Sequence, residues 1–260
     1  MLATVRSIAS CYYRKPCSGD KVLRFAQDDR IVQSIHQSMS IADNIHRINA
    51  ELAGTAARLC VVTKTHSVEL LEEAYAAGAR VFGENRPQEM AAKQPQLPPD
   101  VEWHLIGQLQ TNKVKLLAPF VYTIQSVDSL KLLREINKHA ATSRRVINCL
   151  LQFHIAREET KSGLSIAEAE AILEDAEFSQ FTHVRITGVM AVATFTSDEN
   201  QLREEFQQLC GYFERLKSAH FAESEAFCDI SMGMSGDYRL AVAEGSTIVR
   251  VGSAIFGSRG

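Results

Sequence analysis

From Met39 onward the chain alternates short apolar runs with stretches whose apolar residues recur at three- and four-residue spacing. The runs fall near 58–63, 80–83, 102–106, 121–125, 146–152, 184–192, 227–231 and 247–251, each the length of a buried strand. Between them the helical period is plain. Leu70, Leu71 and Ala74 share a stripe within 69–77; Leu130, Leu133, Ile136 and Asn137 form a second; Phe206, Leu209, Phe213 and Leu216 form a third. Residues 40–55 open the series as a leading helix. Eight strands alternating with helices predict a closed (β/α)8 barrel of the TIM type. The rival is an open doubly wound sheet, but no Gly-rich dinucleotide fingerprint follows the first strand. No linker or low-complexity tract interrupts 39–260, so one barrel domain is expected there.

Residues 1–38 break the pattern. They lack periodicity and hold six Lys/Arg against three Asp, which makes this segment +3 and the remainder −6. Two readings are open: an organelle-targeting peptide, or a translation start at Met39 with a mis-assigned upstream stretch. Asp28 and Asp29 are unusual in a transit peptide and favour the second. On either reading a poorly ordered extension is expected.

Composition narrows the function classes. With 45% hydrophobic residues the chain can build a sizeable core, and no apolar stretch is as long as a membrane span. A net charge of −3 argues against a nucleic-acid or general polyanion binder. The six cysteines show no metal-ligand spacing, and Cys60 and Cys149 fall inside strands as small apolar side chains. A reducing, cytoplasmic setting is expected. Association is expected to be weak, as a monomer or weak dimer.

Against that background a few polar positions stand out. Lys64 ends the first apolar run and precedes Thr65-His66-Ser67, so it sits at the carboxyl end of a barrel strand, where such folds keep their active sites. An amine fixed there can form a Schiff base with a carbonyl ligand; the alternative is an ordinary solvated lysine. The last strand reads Ile248-Val249-Arg250-Val251-Gly252. Alternation directs the valines to the helices and Arg250 inward, either into an internal salt bridge or onto a ligand. After it comes Gly252-Ser253-Ala254-Ile255-Phe256-Gly257, a small-residue turn opening into a helix. The preceding strand exits through Met232-Gly233-Met234-Ser235-Gly236-Asp237. Small-residue loops after the seventh and eighth strands suit a phosphate. Gly83-Glu84-Asn85-Arg86 and the segment from Trp103 to Lys113 are further polar clusters at strand exits. His104 lies within a strand and reads as a hydrogen-bonded interior histidine rather than a catalytic base. Thr160-Lys161-Ser162-Gly163 lacks the two-glycine framework of a Walker motif and reads as a loop near the mouth.

Together these stretches closely resemble the pyridoxal phosphate homeostasis proteins, the YggS or proline-synthase-co-transcribed group. The matching pieces are Val62-Thr63-Lys64-Thr65, Phe82-Gly83-Glu84-Asn85, Trp103-His104-Leu105-Ile106-Gly107 with Leu109-Gln110 and Asn112-Lys113, Lys161-Ser162-Gly163, Gly188-Val189-Met190, Gly233-Met234-Ser235 with Asp237, and Arg250-Val251-Gly252-Ser253 with Ile255-Phe256-Gly257. They run in family order across roughly 40–259. Ser67 departs from the proline often found there, which changes turn stiffness only. The resemblance implies a barrel similar to the N-terminal domain of alanine racemase. It further implies pyridoxal 5′-phosphate (PLP) bound as an imine on Lys64, Arg250 facing the pyridine nitrogen, the phosphate held at Ser235, Gly252 and Ser253, and Asn85 near the ring. It also implies a role in vitamin B6 homeostasis and amino-acid balance without established catalysis, with PLP-dependent apoenzymes as recipients.

The residues agree with weak catalysis. An arginine beside the ring nitrogen does not readily surrender its proton, so the nitrogen stays unprotonated and the cofactor is a poorer electron sink. Racemases nevertheless work with an arginine there, so a PLP-dependent amino-acid racemase-like enzyme is the alternative. Such an enzyme needs a second base, supplied in that family by a β-rich domain for which no room is expected after Gly260. A Schiff-base aldolase acting on a sugar phosphate is a third reading, from the fold alone.

Overall fold

The computed structural model describes residues 40–158 and 162–257. The expectations for the first 38 residues, and for Thr160 and Lys161, lie outside them. Eight parallel strands close on themselves in sequence order: β1 Arg58–Val62, β2 Val81–Glu84, β3 Glu102–Leu105, β4 Thr123–Val127, β5 Ile147–Phe153, β6 Val184–Ala191, β7 Asp229–Ser231 and β8 Ile248–Val251. The seam pairs Arg58 with Ile248 through Val61 with Val251.

The described helices are α1 Ile41–Leu52, α2 Val68–Ala76, α3 Pro87–Lys93, α4 Val114–Leu117, α5 Leu130–Thr142, α6 Ile166–Glu174, α7 Glu199–His220, α8 Tyr238–Ala243 and α9 Ser253–Phe256. None is long and apolar enough to cross a membrane. The leading helix forms within the expected 40–55 but stops at Leu52, the chain turning away through Ala53. The Ser40 side chain accepts from the Asp43 N–H at 3.1 Å, and the Ser40 N–H donates to the Asp43 carboxylate at 3.1 Å, a reciprocal cap. Its buried face is Ile45, Ile48 and Leu52. Asn44 donates to the Ile255 carbonyl at 3.0 Å, and Tyr238 to Glu51 at 2.5 Å, so α1 is tied to α8 and α9 beside the β8–β1 seam.

Two predicted strands start later than the apolar runs suggest. Val121 belongs to the turn ending α4, its N–H donating to the Leu117 carbonyl at 2.9 Å, so β4 begins at Thr123. Phe227 similarly closes a turn on Ser224, and β7 begins at Asp229. In both places hydrophobicity is satisfied by packing under a helix end, a burial that periodicity does not separate from a strand.

The core has two layers. Cys60, Leu150, Met190 and Ile248 meet inside the barrel. A larger shell, including Val61, Phe82, Leu105, Ile124, Val249 and Val251, fills the space between strands and helices. The two valines of β8 therefore face the helices, as alternation predicts.

Candidate functional site

The carboxyl ends of β1, β2, β6, β7 and β8 open into one cavity of about 550 Å3. Lys64, Asn85, Ser235, Arg250, Gly252 and Ser253, separated by up to 189 positions in sequence, all line it. Cys60 faces the interior, and Val62 and Lys64 follow at two-residue steps on the same side, so strand alternation delivers the lysine to the cavity. Asn85 comes from the end of β2. Gly107 lies against its backbone: a Cβ on Gly107 would sit 2.5 Å from the Asn85 carbonyl oxygen, so any side chain there would push the β3 exit off Asn85.

Arg250 is 4% exposed and points inward. Its Nη1 donates to Ser231 Oγ at 2.6 Å and its Nη2 to the Ala191 carbonyl at 2.7 Å. Ser231 donates in turn to Gln125 Oε1 at 2.7 Å, and Gln125 Nε2 meets His104 Nδ1 at 2.8 Å. A hydrogen-bonded line thus crosses the barrel floor from β8 through β7 and β4 to β3. Because the amide donates to Nδ1, the neutral imidazole carries its proton on Nε2. Burial, helped by the nearby Arg58 cation, pushes the His104 pKa down to about 3, which keeps the ring neutral. His104 is the interior histidine the sequence suggests. Arg250 is not the carboxylate-paired arginine that its local sequence leaves open. Burial lowers its pKa to about 10, while Asp237 opposes that shift through space.

The two small-residue loops meet over the cavity. Ser235 Oγ accepts from the N–H groups of Gly252 at 3.2 Å and Ala254 at 3.3 Å, so these donors converge on one spot beside Ser235 and Ser253. Gly233, at φ +90°, makes the turn out of β7; a Cβ there would come within 2.6 Å of the Ala241 methyl. Asp237 accepts from the Met234 N–H at 2.5 Å and pins that loop. Burial raises the Asp237 pKa against the pull of that N–H and of Arg250.

Several lining residues escape sequence reasoning. His66 stacks on Phe256 with centroids 4.1 Å apart and forms one wall. Thr194 and the 94%-exposed Phe195 stand at the rim on the β6–α7 connection. Thr194 donates to Glu205 Oε1 at 2.6 Å and its N–H to Oε2 at 2.6 Å. The available signal is Glu205 itself, a carboxylate on the buried stripe of α7 beside Leu202, Phe206 and Leu209. Ser162 and Gly163 do not line the cavity; the Ser162 carbonyl accepts from Gln152 at 2.8 Å.

The closed parallel barrel is that of the alanine-racemase class of fold, and residues 37–260 match the family described as alanine racemase, N-terminal domain. An alanine racemase from Streptomyces coelicolor A3(2) superposes with a TM-score of 0.66 at 18% identity, covering 84% of this chain and 58% of that one, a likeness of fold. Much nearer is PipY of Synechococcus elongatus PCC7942, solved with PLP bound: 35% identity, TM-score 0.76, 84% of this chain and all of that one. The pyridoxal phosphate homeostasis protein of Aquifex aeolicus is 37% identical over 205 residues, 78% of this chain and 87% of its own length. The protein of the same name in Schizosaccharomyces pombe is 34% identical over 231 residues, 88% of this chain and 94% of its own. The chain belongs to the pyridoxal phosphate homeostasis protein family.

Proposed function

We propose that this chain binds PLP as an imine on Lys64 and serves as a carrier in vitamin B6 homeostasis and amino-acid balance, without turning over a substrate. The observation that carries the reading is the convergence on one cavity of a strand-end lysine, an inward guanidinium and two small-residue loops, the N–H groups of the one after β8 meeting the Ser235 hydroxyl of the other. This donor set fits a group bearing an aldehyde, an aromatic ring and a phosphate. Bound there, the cofactor would supply an aldehyde for the Lys64 amine, with water as the leaving group of their condensation. The names of the relatives and the PLP-bound PipY structure support the assignment.

Each residue then has a task. Lys64 presents its amine from the end of β1. The N–H groups of Gly252 and Ala254, with the Ser235 and Ser253 hydroxyls, offer donors for the phosphate. Arg250, with both Nη atoms oriented by Ser231 and Ala191, would face the ring nitrogen, and Asn85 would hold the ring from the end of β2. With its pKa near 10, Arg250 remains a cation at neutral pH and a donor only. A ring nitrogen facing it receives no proton, which weakens the electron sink that amino-acid chemistry needs. Buried Cys60 and Cys149 carry free thiols, which suits the cytoplasm, and PLP-dependent apoenzymes are the natural recipients.

The test is reconstitution of the purified protein with PLP. An imine-type visible absorbance is expected, and Lys64→Ala abolishes it. Incubation of the loaded protein with amino acids in deuterated water should leave the α-proton in place. No bound PLP in the wild type overturns the assignment; rapid Lys64-dependent exchange overturns the carrier reading in favour of a racemase-like enzyme.

A further inference from the structure

A second cluster of charged groups lies behind the cavity wall, and none of its members lines the cavity. Glu84 ends β2 with its side chain on the helix side of the wall, in register with Phe82, and is fully buried. Lys93, the last residue of α3, is also buried. Its Nζ donates to Glu84 Oε1 at 2.7 Å, to Glu89 Oε1 at 2.7 Å and to the Thr63 carbonyl at 2.8 Å. The two carboxylates reach the same short segment. Glu84 Oε1 also accepts from the Thr63 hydroxyl at 2.7 Å, and Glu89 Oε1 from the Thr65 N–H at 2.5 Å. Thr63 and Thr65 are the neighbours of Lys64, and Asn85 is the neighbour of Glu84.

Two physical facts argue that this cluster does more than hold the fold together. Thr65 has φ +67°, a left-handed conformation that a β-branched residue keeps only where its surroundings over-determine it. The bond from its N–H to Glu89 is such a constraint. A buried lysine with two carboxylates is also a poor route to stability, since well-packed apolar residues in its place commonly do as well. What apolar residues do not supply is a directional hold on the backbone.

We propose that Lys93, Glu84 and Glu89 are positioning residues that fix the direction of Lys64, and through Glu84 of Asn85, from outside the barrel wall. The inference rests on the assignment of PLP to Lys64. Loss of the cluster leaves the barrel closed but frees the peptide units on both sides of the lysine, so the amine samples directions that miss the bound aldehyde.

The experiment uses the full chain reconstituted with PLP. Wild type, Glu89→Ala, Glu89→Gln and Lys93→Met are compared by PLP dissociation constant, imine absorbance, borohydride-trapped peptide and apo-protein melting. Glu89 is partly exposed, so Glu89→Ala is expected to fold with an apo melting temperature close to wild type. It should hold PLP about tenfold more weakly, the ratio one charge-assisted hydrogen bond supports. Glu89→Gln keeps an acceptor for the Thr65 N–H and should recover most of the loss. Lys93→Met removes three hydrogen bonds and should weaken retention further; if it does not fold, the Glu89 pair decides. Glu89→Ala retaining PLP as tightly as wild type overturns the inference while leaving the Lys64 assignment intact. A wild type that traps no PLP on Lys64 overturns both.

Discussion

Replacing Arg250 with methionine separates a ligand-binding role from a structural one. The guanidinium is buried and its pKa falls from the ordinary arginine range to about 10, chiefly through burial. That fall corresponds to about 3 kcal/mol by which the folded state disfavours the cation. The sign follows from protonation. At neutral pH arginine is charged both folded and unfolded, so the full cost is present, and it is relieved only as pH climbs above about 10. Methionine fills a similar volume without a charge and removes the cost. It also removes the donors to Ser231 and to the Ala191 carbonyl. Ser231 keeps Gln125 as a partner, so one carbonyl is left short, at about 1–3 kcal/mol. The two effects offset to within about 2 kcal/mol, a melting shift of at most about 8 °C for a chain of this size. PLP retention, by contrast, should fall at least about tenfold, as the loss of a charge-assisted contact implies. Apo-protein calorimetry and a PLP absorbance titration on the same preparation give both numbers. A folded Arg250→Met protein that binds PLP like wild type would refute the ligand role. Collapse of the fold would show that the arginine is retained for structure.

Two other perturbations probe the site and its floor. Ser235→Ala removes the hydroxyl that gathers the Gly252 and Ala254 N–H groups, and PLP affinity should drop about tenfold in the same titration; an unchanged affinity would remove Ser235 from the phosphate site. The His104 pKa of about 3 against an ordinary 6.5 means that the unfolded chain binds the extra proton first as pH falls. Stability should therefore decline from about pH 6.5 towards 3 by up to about 1.4 kcal/mol per pH unit, and His104→Gln, which keeps an acceptor for Gln125, should flatten that slope in denaturant melts at pH 7, 6, 5 and 4.

Much of this architecture is legible in the primary structure because its signals are local. The eight apolar runs, the leading helix and the stripe from Phe206 to Leu216 are each contained in a few turns or one strand. Lys64 and Arg250 are readable for the same reason, since alternation along a single strand decides which way each points. The motif resemblance adds Asn85, Ser235, Gly252 and Ser253, and all six meet at one cavity. What escapes is pairing at a distance. Ser231 and Gln125 are 106 positions apart, and nothing near either shows that they orient Arg250. Lys93 reaches back 30 positions to the Thr63 carbonyl, and as the last residue of a short helix it looks like a routine solvated cation. Glu84 and His104 are polar residues inside strands, a visible anomaly whose partners only the closed barrel supplies.

The central claim is that Lys64 carries PLP. Mass spectrometry of the PLP-reconstituted protein after borohydride reduction and proteolysis tests it most directly. The account predicts a single pyridoxyl adduct on the peptide containing Lys64. An adduct confined to another lysine, or none, would contradict it.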